Sequence, residues 1–121
     1  MMGAPRKAYI VSHTHWDREW YQPFEEYRIR LVQLLDKLLH ILDHDPGYKY
    51  FMLDGQTIAL DDYLAIRPEN RAKIESYVKS GRIQIGPWYI LPDEFLVSGE
   101  STIRNLLVGA QICAQFGQRM D

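Results

Sequence analysis

Apolar and polar positions change period several times along the chain, and each change marks an element. Residues 8–11, Ala-Tyr-Ile-Val, are a short apolar, partly β-branched run ending in polar Ser12 and His13, which predicts a buried strand followed by a loop. From Phe24 onward, Leu31, Leu34, Leu35, Leu38, Leu39 and Leu42 recur at spacings of three and four, so they share the core-facing stripe of a helix. Asp45-Pro46-Gly47 ends it, because Pro46 cannot continue the hydrogen-bond ladder and Gly47 relaxes the backbone. Residues 48–53 are rich in aromatic and apolar strand formers and predict a second strand, closed by a turn at Asp54-Gly55. Residues 58–66 are partly helical in composition but too short for the period to decide their state.

Pro68 suits the first turn of a further helix, with Ile74, Tyr77 and Val78 on its inner face and Lys79-Ser80-Gly81 as its basic last turn and stop. Residues 82–86 alternate as a third strand. Residues 101–115 then place Ile103, Leu106, Leu107, Ala110 and Ala114 at helical spacing before Gly117. The predicted order is βαβαβα. Strands separated by helices of this length do not close as hairpins, so the economical topology is a parallel sheet with right-handed crossovers and packed helices, an α/β fold. Three parallel strands leave both edges and much of a face open, which predicts the front part of a larger domain, with self-association through an open edge as the non-catalytic consequence. No internal repeat, low-complexity tract or Gly/Ser linker divides the chain.

Composition narrows the function classes. At 121 residues there is room for one ordinary domain, and 46% hydrophobic with 25% charged residues is a globular balance. Fourteen Lys and Arg against sixteen Asp and Glu leave a net charge of −2, so no basic excess attracts nucleic acid or an anionic membrane. No apolar run is long enough to span a bilayer, and residues 1–7 do not read as a signal peptide. The single Cys113 has no intrachain disulfide partner, which makes a reducing cytoplasm the expected compartment.

In parallel α/β folds ligands bind beyond the carboxyl ends of the strands, so the loops beginning at His13, Asp54 and Pro87 are expected to meet at one mouth. The first, His13-Thr14-His15-Trp16-Asp17-Arg18-Glu19-Trp20-Tyr21, carries two imidazoles, two carboxylates and two indoles in nine residues. In an extended segment His15 and Asp17 project to one side and can both reach a divalent ion such as zinc, with His13 on the same alternation, although they can equally cap a turn. Trp20 and Trp88 each sit in a strand-end loop, where an indole face suits the C–H face of a sugar or anchors its loop in the core. Asp54 can accept hydrogen bonds from substrate hydroxyls or cap its turn. Asp93 and Glu94 are adjacent and so point apart, which does not make an acid/base pair. His40 and His44 read as solvated helix residues, and Glu25, Glu26, Asp61 and Asp62 as helix-start or surface charges without a site role.

HTHWDREWY, YFMLDGQTIALDDYLAIRPEN and IGPWYILPDEFLVSGESTIRNLL, in this order from Ala8 to Gly117, resemble the N-terminal segment of the family 38 glycoside hydrolases, zinc-dependent retaining α-mannosidases. DGQT and ESxxRN resemble the bacterial branch, which includes mannosylglycerate hydrolases. The resemblance implies the first part of a seven-stranded-type α/β barrel, zinc as cofactor, His15 and Asp17 as two of its ligands, and Trp20 lining the mannose subsite. His13 fits the motif without being a ligand, and with Asp54 and Trp88 it is carried as a substrate-binding candidate. The family's nucleophile, acid/base and remaining ligands have no counterpart motif here, so the catalytic residues are expected downstream of Asp121 and the 121-residue chain is expected to be inactive alone.

The implied reaction is hydrolysis of terminal α-linked mannose by double displacement with retention. Three alternatives stand beside it: a mannosylglycerate or phosphomannosylglycerate hydrolase of the same family, a zinc-dependent deacetylase-like hydrolase on a related barrel, and a non-catalytic metal- or sugar-binding fragment.

Overall fold

The computed structural model describes residues 6–118. Asp121, expected to lie just before the family's nucleophile segment, is outside them. The elements run β1 (His13–Thr14), α1 (Phe24–His44), β2 (Phe51–Leu53), α2 (Ile58–Leu64), a 3-10 turn (Pro68–Asn70), α3 (Arg71–Lys79), β3 (Ile83–Gln84) and α4 (Gly99–Gln115). The strands form one parallel sheet in the order β1-β2-β3, with His13 beside Met52 and Phe51 beside Ile83. The α/β class and parallel pairing are therefore as the periodicity predicts. The undecided stretch after the second strand is the short helix α2.

Leu31, Leu35, Leu38, Leu39 and Leu42 bury the inner stripe of α1. They meet Leu53 and Ile83 from the sheet, Leu60 and Tyr63 from α2, and Ile74 and Val78 from α3 in a single cluster. Tyr63 is fully buried, and its hydroxyl donates to Asp36 at 2.7 Å and accepts from the Asn70 amide at 2.6 Å, so the phenol costs no unpaired polar group. Pro68 opens a 3-10 turn that leads into α3 rather than the helix itself.

The first strand is corrected, whereas the last helix forms where its spacing predicts. The first strand is not residues 8–11: Tyr9, Ile10 and Val11 are exposed, and pairing begins where the Met52 amide donates to the Ser12 carbonyl at 2.9 Å. The outer side of β1 carries no neighbouring strand among the described residues, and none of these covers that run. In α4 the apolar stripe of Ile103, Leu106 and Leu107 points outward, while Gly109 and Cys113 face the body. A Cβ on Gly109 would lie 2.0 Å from the Pro87 carbonyl oxygen, so glycine is what lets α4 lie directly on the backbone after β3. The helix starts at an N-cap, Ser98, whose hydroxyl accepts the Ser101 amide at 3.2 Å.

At the amino ends of the strands, Arg82 closes the opposite face. Its guanidinium donates to the carbonyls of Leu42, Asp45 and Tyr48 at 2.8, 3.2 and 2.8 Å. It satisfies the carboxyl end of α1 and ties it to the start of β3. Among the described residues no helix is long and apolar enough to cross a membrane.

Candidate active site

The chain leaves β1 and β2 beside each other, so their following loops emerge together, and the loop after β3 joins them. Gln56 is the joint. Its amide nitrogen donates to the Trp16 carbonyl at 2.7 Å and to Asp54 Oδ2 at 3.1 Å, and its amide oxygen accepts the Leu91 amide at 3.2 Å. The side chain is 2% exposed, so all three loops are fixed to one buried amide. From the other side Asn105 of α4 accepts the Tyr89 and Ile90 amides, both at 2.9 Å, and donates to the Ile90 carbonyl at 2.6 Å.

Between the loops lies a cleft of about 650 Å³, lined by residues of the first loop from His15 to Trp20, by Phe24 and Gln56, and by Ile90 to Asp93. His15 and Asp17 are exposed at its wall, with His15 Nε2 3.5 Å from Asp17 Oδ1. Two donors each about 2.1 Å from a tetrahedral zinc stand about 3.4 Å apart, so this imidazole and carboxylate have the right identity and spacing to share one ion. Among the described residues no cluster of three or more His, Cys, Asp and Glu is gathered as a metal site. The pair therefore offers two of the about four ligands that zinc takes.

The other sequence candidates are distributed unevenly. Trp20 lines the cleft and is exposed, its ring edge-on to Tyr21. Asp54 stands behind His15, its Oδ2 accepting the Trp16 amide at 2.6 Å and its Oδ1 3.6 Å from His15 Nδ1. Trp88 is half-buried, and its backbone pairs in parallel with Gln56, outside the cleft lining. His13 lies apart, in a shallow depression against α1 with Leu34, Lys37 and Tyr48. His40 and His44 stack near the carboxyl end of α1, remote from these loops in the fold.

Asp62 reverses the reading of a surface charge. It is 6% exposed and takes a two-pronged ion pair from Arg18, with Nε 2.7 Å from Oδ2 and Nη2 2.9 Å from Oδ1. These bonds hold the guanidinium pKa above its ordinary value, against the opposing cost of burial. The Arg18 cation also lies 4.4 Å over the Phe24 ring. Arg18→Met leaves Asp62 buried without its partner. The expected loss is roughly 2–3 kcal/mol, below the range for a fully buried pair because Arg18 is partly exposed. Denaturant unfolding measures it, and the double variant Arg18→Met/Asp62→Leu is expected to recover most of the loss. Gln56 and Asn105 lie within the DGQT and ESxxRN segments but carry no role assigned from the sequence, because, Asp54 beside Gln56 apart, their side-chain partners lie 15 to 40 residues away. The local signals are those two segments and, within them, an amide directly after a strand and one inside a helix.

Residues 5–121 match the glycosyl hydrolases family 38 N-terminal domain. A protein of Halalkalibacterium halodurans named "Putative mannosylglycerate hydrolase" is 53% identical over 96% of this chain and 13% of its own length. The crystal structure of an α-mannosidase from Enterococcus faecalis superposes with a TM-score of 0.88 at 49% identity, covering 91% of this chain and 12% of that one. A second crystal structure, of a family 38 protein from Enterococcus faecalis, gives 0.85 at 46% identity over 93% and 13%. The chain thus spans about an eighth of the length of these relatives.

Proposed function

We infer the function from one premise: the chain belongs to the glycosyl hydrolases family 38 N-terminal domain family. It is part of a glycoside hydrolase, and we propose that the whole enzyme releases terminal α-linked mannose with retention, assisted by zinc that His15 and Asp17 help to hold. The observation carrying this reading is the 3.5 Å spacing of His15 Nε2 and Asp17 Oδ1 at the wall of the strand-end cleft. When bound, zinc would supply a Lewis-acid contact to vicinal sugar hydroxyls, whose cis arrangement distinguishes mannose from glucose.

This chain's own residues bind and orient. Trp20 offers an indole face at the rim to the C–H face of the ring, and Ile90, Leu91 and Pro92 form the opposing apolar wall. Gln56 holds these two walls at a fixed separation through Trp16 and Leu91, so a sugar meets a preformed gap. The two carboxyl groups of the double displacement are assigned outside the described residues.

A second reading has its own support in the relative named for mannosylglycerate hydrolysis, and takes mannosylglycerate or its phosphorylated form as substrate. The charges at the rim favour a neutral aglycone: with Asp17 taken up by the metal, Glu19 and Asp93 still line the cleft, and its one guanidinium is held by Asp62. The test is kcat/KM of the full-length polypeptide on an aryl α-mannoside and on mannosylglycerate, each before and after chelation and zinc return. Loss on chelation and recovery with zinc is the expected result, and activity that survives complete metal removal refutes the proposal. Comparing the two substrates decides between the readings.

A further inference from the structure

We propose that Asp54 is the positioning carboxylate of the metal pair, its Oδ1 receiving the Nδ1 proton of His15 so that the Nε2 lone pair is presented toward Asp17. The proposal rests on the reading that His15 and Asp17 hold zinc.

Asp54 directly follows β2 with a φ of 36°, a left-handed conformation that a residue other than glycine adopts rarely and Asp among the more readily. That backbone turns the side chain under the first loop, where Oδ2 accepts the Trp16 amide at 2.6 Å and the Gln56 amide at 3.1 Å. Both bonds fall on one oxygen. They leave Oδ1 aimed at the imidazole, 3.6 Å from Nδ1. A turn cap accounts for Oδ2 but not for that aim.

The Asp54 side chain is 11% exposed and the His15 side chain 72%, so the carboxylate is the fixed partner and the ring the adjustable one. A charged N–H···O bond spans about 2.7–2.9 Å, so a small rotation of the exposed ring closes the gap without moving either loop. The ring nitrogens then have opposite duties, since Nδ1 faces Asp54 and Nε2 lies 3.5 Å from Asp17. An imidazole ligates through one nitrogen, and a carboxylate on the other fixes both its tautomer and its orientation.

The test uses the full-length protein and zinc itself. Asp54→Asn is nearly isosteric: its carbonyl oxygen can still accept the Trp16 amide, while the NH2 group then faces His15 as a donor and opposes the required tautomer. In competition with a chromophoric chelator, zinc affinity is expected to fall about 10- to 100-fold, with the metal-free melting temperature within a few degrees of the parent. In a zinc-loaded crystal of the parent, Asp54 Oδ1 is expected within hydrogen-bond distance of His15 Nδ1. Zinc affinity unchanged within twofold in Asp54→Asn, or a loaded site in which Asp54 stays off the imidazole, overturns the proposal. If the variant does not fold, the crystal distance alone decides. His15→Ala separates the two levels. If zinc affinity survives that change, the metal assignment itself has failed; if it is lost there but kept in Asp54→Asn, only the role of Asp54 has.

Discussion

Replacing His15 or Asp17 with alanine in the full-length polypeptide is expected to lower kcat/KM on an aryl α-mannoside by about a thousandfold or more, equivalent to roughly 4 kcal/mol of transition-state stabilisation. Losing a residue behind a ligand already costs about 10- to 100-fold, and losing one of about four ligands costs more. The two side chains face each other at 3.5 Å, so each truncation leaves the other a lone exposed donor. Zinc content after gel filtration should fall with activity. His13→Ala is the internal control, because that imidazole sits against α1 with Lys37 and Tyr48. It is expected to keep both within a few-fold. Equal losses in all three variants would remove the special standing of positions 15 and 17.

The second large effect is on stability. Gly109→Ala would ordinarily gain about 1 kcal/mol of helix propensity in the middle of α4. Here the new methyl meets the Pro87 carbonyl oxygen at 2.0 Å, the Trp88 carbonyl carbon at 2.6 Å and the Tyr89 nitrogen at 2.7 Å, all backbone atoms with no rotamer to yield. Overpacking of this kind exceeds the propensity gain, and the net expectation is about 3 kcal/mol of destabilisation and a melting temperature lower by about 10 °C. The displaced segment also carries Tyr89 and Ile90, so the Asn105 clamp should loosen with it. Gly99→Ala, with nothing within 4 Å, should leave the melting temperature nearly unchanged. A neutral Gly109→Ala would mean that α4 does not lie on this backbone.

The helix α1 was readable because its leucines repeat through a period that one core face satisfies, and five of the six predicted positions are buried. The same rule finds α4 as well, but there Ile103, Leu106 and Leu107 keep the period and face outward among the described residues, and the close approach to the body is made at Gly109, beside Asn105 and Cys113. Periodicity identifies a stripe without saying what covers it. Residues 8–11 fail for a related reason: strand propensity was present, but ladder pairing starts only at Ser12 and His13, beside β2. The HxD pair was legible because its partners are two residues apart. Asp62 was not, because its partner Arg18 lies 44 positions earlier and no local pattern distinguishes a buried acid from its exposed neighbour Asp61.

The Arg82 guanidinium, bonded to three carbonyls at the amino ends of the strands, lies at the opposite end of the sheet from the cleft. Thermal hardening and catalytic retuning are therefore separable engineering tasks in this molecule. Substitutions that tighten the underside around Leu42, Asp45 and Tyr48 can raise heat tolerance without touching the cleft. A library aimed at the proposed sugar site belongs on the rim between Trp20 and Asp93.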